Sequence, residues 1–356
     1  MRRYLLLLAI LVTALTARAQ DPEKKDTVII TLQNGTEVRY TNDQFDRVQI
    51  IYNLEYGVKV YLKNGKSKDY LATKVVVAQY KEGGEVVAGQ NVNRNLYRAQ
   101  LLEYPHLAAD STMNQLVIKS TADHGITFSL EWSYTDKANR WTCYQLHKGY
   151  VPDPNVKRKD AFKEDPEIPE QYRSKLSDYK GSGFSRGHLC PSSDRLCSQE
   201  QNAQTFFLSN MQPQWQSHNG GLWNTLEDKV RKWADKCDTM YVVKAATIRS
   251  DQVYTEKCNG RLPVPKYFYM ALLGYDKSKD YYYAIGLWTE HKSTNESYGG
   301  LRKYAMSIDE LEELTGIDFF CNLPDDIEEN VEKRIKLNEK NQLVDSIEEW
   351  ESKFGN

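Results

Sequence analysis

One central segment has residue types and spacings suited to phosphodiester hydrolysis. It runs from Gly183 to Arg231 and contains SRGH at 185–188, FFLSNMQPQWQSHNGGLW at 206–223 and NTLEDKVR at 224–231. A neutral imidazole can take a proton from water near pH 7. Oxygen side chains suit a hard divalent cation, and arginine forks bind phosphate. The segment therefore predicts hydrolysis with one metal ion, one general base and a few cations.

The first part of this segment contains the candidate base. His188 follows Arg186 and Gly187 and precedes a Leu-Cys-Pro turn. Residues i and i+2 share one face of a strand, so we expect Arg186 to lie beside His188 and to bind a phosphate. Gly187 permits unusual backbone angles or a close approach. The alternative is a structural histidine, which is the commoner role of a lone histidine.

The last part predicts an amphipathic helix over about residues 223–235. Its apolar face consists of Leu222, Leu226, Val230 and Trp233. Glu227 and Arg231 lie four residues apart at the flank of this face and are candidate site residues. They could instead form an ordinary surface ion pair. Asn219 is expected at the helix N-terminus, where it could bind a metal ion or act as a cap.

Two other interpretations of the same residues are weaker. Gly183 to Gly187 matches G-x-S-x-G, the nucleophile elbow of α/β-hydrolases, which would make Ser185 a nucleophile. An elbow follows an apolar strand and precedes a helix, whereas residues 175–182 are polar and Pro191 follows closely. A zinc site of His188, Cys190 and Cys197 matches no established zinc spacing. Both alternatives stay open at this point.

Several linked motifs together resemble the DNA/RNA non-specific endonuclease family of the ββα-metal (His-Me finger) superfamily. They are Ser-Arg-Gly-His at 185–188, N-x-x-P-Q from Asn210, N-x-G-x-W from Asn219 and Leu-Glu at 226–227. The similarity extends over about residues 95–325, including PVPKY at 263–267. It implies a ββα-metal nuclease fold, with a mainly antiparallel sheet flanked by helices, and hydrolysis of DNA and RNA with Mg²⁺, for which Mn²⁺ is a possible substitute.

The resemblance also implies a role for each matching residue. His188 would activate the attacking water, and Asn219 would be the direct protein ligand of the metal ion. Arg186 would bind the phosphate, and Arg231 would stabilise charge at the scissile phosphate. Glu227 would orient water on the metal ion, and Asn210 would support the site.

The chain departs from the family at one motif position and in its charge. The family motif usually begins with Asp, where this chain has Ser185, which puts the rate and the metal preference in question. The net charge of −2 is unlike a protein with a broad basic face for nucleic acid. The alternative hypothesis is therefore a non-catalytic nucleic-acid-binding or surface protein with the nuclease fold. A local basic patch could consist of Lys157, Arg158, Lys159, Arg186, Arg195, Lys229, Arg231 and Lys232.

The N-terminal residues predict export. Arg2 and Arg3 precede an apolar run from Tyr4 to Leu15, and Ala17-Arg18-Ala19 fits a cleavage site, so residues 1–19 are predicted to be a signal peptide. We expect a secreted or periplasmic protein without a membrane span after cleavage. The six cysteines then predict disulfides, whose pairing the sequence leaves open. The oligomeric state is also left open.

Patterning divides the mature chain into four parts. Residues 20–81 predict a small all-β module with Asn-Gly turns at 34–35 and 64–65, to which the sequence assigns no partner. Residues 82–95 predict a linker, 96–330 the endonuclease domain and 331–356 an acidic, polar tail ending in a solvated helix. The domain alternates meander strands with separate helices and a long excursion at 151–180, which predicts the α+β class.

Overall fold

The computed structural model describes residues 27–32, 37–41, 43–50, 58–70, 75–81, 93, 99–108 and 112–355. The chain divides into two compact units, residues 1–101 and 102–356. Residues 1–19, the predicted signal peptide, and most of the predicted linker lie outside the described residues. The domain boundaries themselves stay predictions.

The first unit contains two three-stranded antiparallel sheets, with strand orders β2-β1-β6 and β3-β4-β5. The strands are β1 (Thr27–Leu32), β2 (Glu37–Thr41), β3 (Phe45–Ile50), β4 (Val58–Leu62), β5 (Ser67–Tyr70) and β6 (Val75–Lys81). Gly65 has a φ of +80°, as the predicted Asn64-Gly65 turn requires. The Asn34-Gly35 turn lies outside the described residues. The strands agree with the all-β expectation.

The second unit is built on a seven-stranded sheet of order β15-β14-β13-β12-β9-β8-β7, in which all neighbours are antiparallel. Its strands are β7 (Asn114–Thr121), β8 (Gly125–Ser133), β9 (Ala138–His147), β12 (Thr239–Ala246), β13 (Tyr267–Asp276), β14 (Tyr281–Glu290) and β15 (Ala305–Met306). This sheet confirms the predicted α+β class with a mainly antiparallel sheet. Strand β12 lies at its centre, and residues 240–246 are buried.

A separate two-stranded ribbon carries the central segment. Strands β10 (Ser185–His188) and β11 (Met211–Gln214) pair antiparallel. Before and between them lie helices α1 (Leu176–Tyr179) and α2 (Gln199–Gln204). After β11 the chain forms α3 (Gln216–His218), a π-helical turn (Asn219–Trp223) and α4 (Asn224–Ala234). The excursion at 151–180 contains only α1 and a short 3₁₀ turn, as predicted.

The predicted apolar face of α4 is confirmed by its burial. Each of its four residues is no more than 2% exposed: Leu222, Leu226, Val230 and Trp233. Helix α4 packs against β9 and β12 of the large sheet. This packing holds the ββα unit, formed by β10, β11 and the helical run that ends in α4, against the domain core.

Helix α5 (Ile308–Thr315) has the ends that the sequence predicts. The Glu310 backbone N–H donates to Ser307 Oγ at 3.2 Å, and the Ser307 N–H donates to Glu310 Oε2 at 2.7 Å. Gly316 ends the helix with a φ of +69°. This capping box and glycine stop satisfy backbone groups that a helix leaves unpaired at its ends.

The C-terminal residues differ from the solvated tail that the sequence predicts. They form α6 (Asp325–Glu332), β16 (Ile335–Leu337), β17 (Leu343–Asp345) and α7 (Ser346–Phe354). Trp350 is fully buried, with its ring centroid 5.5 Å from that of Trp233. Ile347, Trp350 and Phe354 recur at helical spacing, so α7 has an apolar face that the acidic composition conceals. The expectation of a solvated helix was wrong for this reason.

The predicted disulfides are also absent. No disulfide joins the six cysteines, all of which lie in described residues. Cys258 Sγ lies 3.0 Å from the Asp178 carbonyl oxygen, and Cys237 Sγ lies 3.4 Å from that of Thr239. The even cysteine count and the signal-like N-terminus therefore predicted disulfides that the structure does not contain. In the described residues, no helix combines the length and the apolarity that crossing a membrane would need.

Candidate active site

Strands β10 and β11 place His188 opposite Met211 and Arg186 opposite Pro213. Between them, Gly187 allows a close approach of the two strands. A Cβ atom at Gly187 would lie 2.1 Å from Gln214 Oε1 and 2.8 Å from Gln214 Cβ. The group that approaches Gly187 closely is therefore the side chain of Gln214, on the other strand of the ribbon.

His188 lies between two aromatic rings. Its ring centroid is 5.6 Å from that of Phe162 and 5.0 Å from that of Phe206. Its Nε2 atom is buried and makes no hydrogen bond to any described residue. Burial, together with the positive charge of Arg158, lowers the pKa of His188 to about 3. The imidazole is thus neutral at physiological pH.

Two guanidinium groups stack on the rings that enclose His188. The Arg186 guanidinium lies 4.0 Å from the Phe162 ring centroid, and that of Arg158 lies 5.3 Å from the Phe206 centroid. Arg186 is exposed. The prediction that Arg186 lies close to His188 agrees with this arrangement, since both side chains contact Phe162.

Asn210 is fully buried and binds the backbone that follows His188. Its Nδ2 atom donates to the carbonyl oxygens of Cys190 and Thr205, both at 2.9 Å. Its Oδ1 atom accepts from the Cys190 N–H at 2.9 Å. Both N–H groups of the amide and one lone pair of its oxygen bind backbone, so Asn210 holds the loop after His188 in place.

Asn219 lies inside the helical run. Helix α3 begins three residues earlier, and the Asn219 N–H donates to the Trp215 carbonyl oxygen at 2.8 Å. Its side chain makes no hydrogen bond to any described residue and is partly exposed. The interpretation of Asn219 as a helix cap was wrong because the helical backbone starts upstream of it.

The turn that contains Asn219 is π-helical. Gly221 interrupts it with a φ of −105° and a ψ of −109°, which only a glycine adopts readily. Single π turns occur often at functional sites. Here the turn lets the chain continue from α3 into α4, while the side-chain amide of Asn219 makes no hydrogen bond to the described residues.

Glu227 is buried and pairs with a lysine from the large sheet. Lys244 Nζ on β12 lies 2.9 Å from Glu227 Oε1, and Lys244 is fully buried. Burial raises the pKa of Glu227, and the charge of Lys244 acts against that rise. The alternative of a surface ion pair between Glu227 and Arg231 was wrong, since the two side chains bind different partners.

Arg231 is held by two carboxylates. Its Nη1 atom donates to Asp194 Oδ1 at 2.8 Å, and its Nη2 atom donates to Asp228 Oδ1 at 2.5 Å. Asp194 is buried and also accepts a hydrogen bond from Tyr144 Oη at 2.8 Å. Arg231 is therefore fixed in orientation, with a quarter of its side chain still exposed.

Sequence reasoning missed Lys244, Asp194 and Tyr144. The sequence could have pointed to Lys244, because it is the only charged residue in the apolar strand MYVVKAA. No local pattern points to Asp194, because its partners Tyr144 and Arg231 come from β9 and α4. Arg195, expected in a basic surface patch, is buried and donates to the Thr127 carbonyl oxygen at 2.7 Å. It therefore cannot contribute to such a patch.

In the described residues, no group of three His, Cys, Asp or Glu ligands gathers around Asn219. Its side-chain amide contains a neutral oxygen, a donor type that hard divalent cations accept. His188, Cys190 and Cys197 do not form a ligand group, and burial raises the pKa of Cys190 to about 12. The zinc alternative was wrong.

The nucleophile-elbow alternative fails on local structure. Ser185 begins the short strand β10 rather than occupying a strand-to-helix turn. Its Oγ atom donates to Gln216 Oε1 at 2.6 Å, so it links β10 to α3. Neither feature suits a serine nucleophile.

Comparison with known proteins gives a consistent set of similarities. The family model described as DNA/RNA non-specific endonuclease matches residues 110–326. A nuclease of Nostoc sp. is 29% identical over 228 residues, which is 62% of this chain and 79% of that protein. Nuclease C1 of Cunninghamella echinulata is 31% identical over 207 residues, which is 55% of this chain and 81% of that protein. The human mitochondrial nuclease EXOG is 29% identical over 210 residues, with 55% of each chain covered.

Among solved structures, a chain of the crystal structure of the EndoG/EndoGI complex is similar to this one. The TM-score is 0.51 at 23% sequence identity, and the match covers 59% of this chain and 88% of that chain. At this identity the likeness concerns the fold, and it agrees with the ββα unit described above.

Proposed function

Because the chain belongs to the DNA/RNA non-specific endonuclease family and is a metal-dependent endonuclease, as its motifs predict, we propose that it cleaves both DNA and RNA through His188. The observation that carries this proposal is the neutral imidazole of His188, whose Nε2 makes no hydrogen bond to any described residue. A general base needs a free ring nitrogen and no proton on it. Burial beside Phe162 and Phe206 keeps the ring unprotonated.

The arginines act on the phosphate in this proposal. Arg186 is exposed beside the base, and its guanidinium is oriented by stacking on Phe162. A planar fork held in this way can bind two phosphate oxygens at once. Arg231 is oriented by Asp194 and would stabilise the charge that develops on the phosphate during attack. His188 takes the proton of the attacking water at its free ring nitrogen.

Asn219 would hold the metal ion, and we propose Mg²⁺, with Mn²⁺ as a possible substitute. When bound, the ion would neutralise negative charge on the scissile phosphate. The support for this assignment is the partly exposed amide of Asn219, which makes no hydrogen bond to any described residue. Glu227, oriented by Lys244, would orient water on the ion.

Ser185 occupies the position where the family usually has aspartate. Its hydrogen bond to Gln216 indicates what the serine does there. Its hydroxyl donates to Gln216 Oε1 at the start of α3, three residues before Asn219. We propose that Ser185 keeps a positioning role through this bond, so the replacement is compatible with catalysis.

The substrate range follows from the type of contact. The arginines are proposed to bind the phosphates of the substrate, and phosphate contacts carry no sequence information. We therefore propose little preference for sequence or sugar. Since such contacts are screened by ions, the rate of cleavage is expected to fall as salt rises.

The test uses supercoiled plasmid and single-stranded RNA, each with Mg²⁺ or EDTA. The wild-type chain from Gln20 should cleave both substrates only with the metal. His188→Ala should lose about 10²- to 10⁴-fold in rate, the usual contribution of a general base. His147→Ala removes an exposed histidine at the end of β9 and is the matched control. Cleavage by His188→Ala at the wild-type rate would refute the assignment of the base.

We also propose that the protein is exported. The support is in the sequence, where Arg2 and Arg3 precede an apolar run and a small-x-small site at 17–19. Fractionation of cells expressing the full chain should place the protein outside the cytoplasm, with Gln20 or Asp21 as its first residue. Retention of an uncleaved chain in the cytoplasm would contradict export.

A further inference from the structure

Five carboxylates gather where α5 meets α6, in a region that contains neither His188 nor Asn219. They are Asp309, Glu312, Asp318, Glu328 and Glu332. Glu332 belongs to two groups of three, one with Asp309 and Glu312 and one with Asp318 and Glu328. Within each group, one oxygen per residue lies within 4.8 Å of the others. Oxygens that share one calcium ion are separated by at most about 5 Å, so this spacing fits a shared cation.

Glu332 supplies an independent observation. Its side chain is only 8% exposed, and its buried Oε1 atom makes no hydrogen bond to any described residue. A buried carboxylate without a partner is unfavourable unless it is protonated or a cation compensates it.

In the described part of the chain, no basic side chain forms an ion pair with Glu312 or Glu332. Lys333 is directed to Glu329, with 2.8 Å between Nζ and Oε1. Arg334 is directed to Asp345, with 2.6 Å between Nε and Oδ2. Glu312 is itself fixed in place, because its Oε1 atom accepts from the Phe319 N–H at 2.7 Å.

We propose that the first of these groups is a calcium site, in which Glu332 of α6 binds one calcium ion together with Asp309 and Glu312 of α5. Calcium accepts six to eight oxygens in flexible geometry, including bidentate carboxylates. Magnesium requires a smaller octahedral shell and retains waters. The bound ion would tie α5 to α6 and would not take part in catalysis. Glu328 and Glu332 lie beyond residue 326, where the family match ends.

The test separates this site from the catalytic metal by using Asn219→Ala as the host protein. Its thermal unfolding is measured in EDTA, in CaCl₂ and in MgCl₂. A calcium concentration about one hundred times the dissociation constant should raise the Tm by about 5–10 °C. Glu332→Gln in the same host should abolish the calcium shift, and its Tm in EDTA should equal or exceed that of the host because a buried repulsive carboxylate is gone.

Glu329→Gln is the matched control, since it lies on the same helix and pairs with Lys333. It should keep the calcium shift. If Glu332→Gln fails to fold, Glu312→Gln replaces it, and calorimetric titration should then show at least tenfold weaker calcium binding. The proposal is overturned if the Asn219→Ala host does not respond to calcium or if Glu332→Gln responds like the host. An equal shift with magnesium would overturn the choice of calcium.

Discussion

Lys244 and Glu227 form a buried ion pair between the central sheet and the helix of the ββα unit. Lys244 Nζ donates to Glu227 Oε1 at 2.9 Å, and the lysine is fully buried. The pair connects β12, the middle strand of the large sheet, to α4. A candidate site residue is thus held by a cation from the domain core, and the ribbon alone does not define the site.

Replacing Lys244 by methionine should destabilise the protein by about 3–5 kcal/mol, because Glu227 would remain as an unpaired buried carboxylate. The double variant Lys244→Met/Glu227→Gln should regain much of this loss, since no buried charge is left. Urea unfolding of the wild type, both single variants and the double variant forms a complete cycle. Additive losses would show that the pair is not coupled.

His188 should not titrate in the physiological range. Burial lowers its pKa to about 3 from an ordinary value of 6.5. The folded state therefore binds a proton at His188 only in strong acid, whereas the unfolded state binds it below about pH 6.5. The contribution of His188 to the free energy of unfolding is thus fully present above pH 6.5 and is lost as the pH falls toward 3. NMR of the metal-free protein should show no change in the His188 ring protons between pH 5 and pH 8. The His188 resonance is assigned by its absence from the spectrum of His188→Ala. A titration midpoint near pH 6.5 for this resonance would contradict the burial of the imidazole.

Alanine substitution of Asn210 should lower stability, whereas alanine substitution of Asn219 should raise the Mg²⁺ requirement. Asn210→Ala leaves the buried N–H and carbonyl of Cys190 without their partner, which should cost about 1–3 kcal/mol of unfolding free energy in EDTA. Asn219→Ala breaks no side-chain hydrogen bond to a described residue, so its stability in EDTA should match that of the wild type. Its half-saturating Mg²⁺ concentration should instead rise at least tenfold. Equal Mg²⁺ requirements in Asn219→Ala and the wild type would refute the metal-ligand assignment.

The C-terminal helix should be essential for stability. Trp350→Ala removes a fully buried ring that packs on Trp233, and such truncations cost about 3–5 kcal/mol. Ser352→Ala, at an exposed position of the same helix, should change stability by no more than about 0.5 kcal/mol. Thermal and urea unfolding measure both variants. A Trp350→Ala protein as stable as the wild type would mean that α7 is not part of the core.

Local patterns predicted the parts of the fold that local interactions decide. The antiparallel strands, the apolar face of α4 and the capping box at Ser307 follow from periodicity and from hydrogen bonds within a few residues. The C-terminal helix was misjudged because its acidic residues obscured the spacing of Ile347, Trp350 and Phe354. The cysteines were misjudged because an even count does not say whether two thiols meet in space.

The sequence by itself determined which side chains are available for catalysis and in what order. It contains SRGH, the two spaced asparagines and the Glu227–Arg231 spacing, and these motifs were enough to predict the family. Only the tertiary structure decided the environment of each group. His188 is enclosed by Phe162 and Phe206, and Glu227 and Arg231 pair with Lys244 and Asp194. Burial and charge compensation depend on residues that are distant along the chain, so no local pattern encodes them.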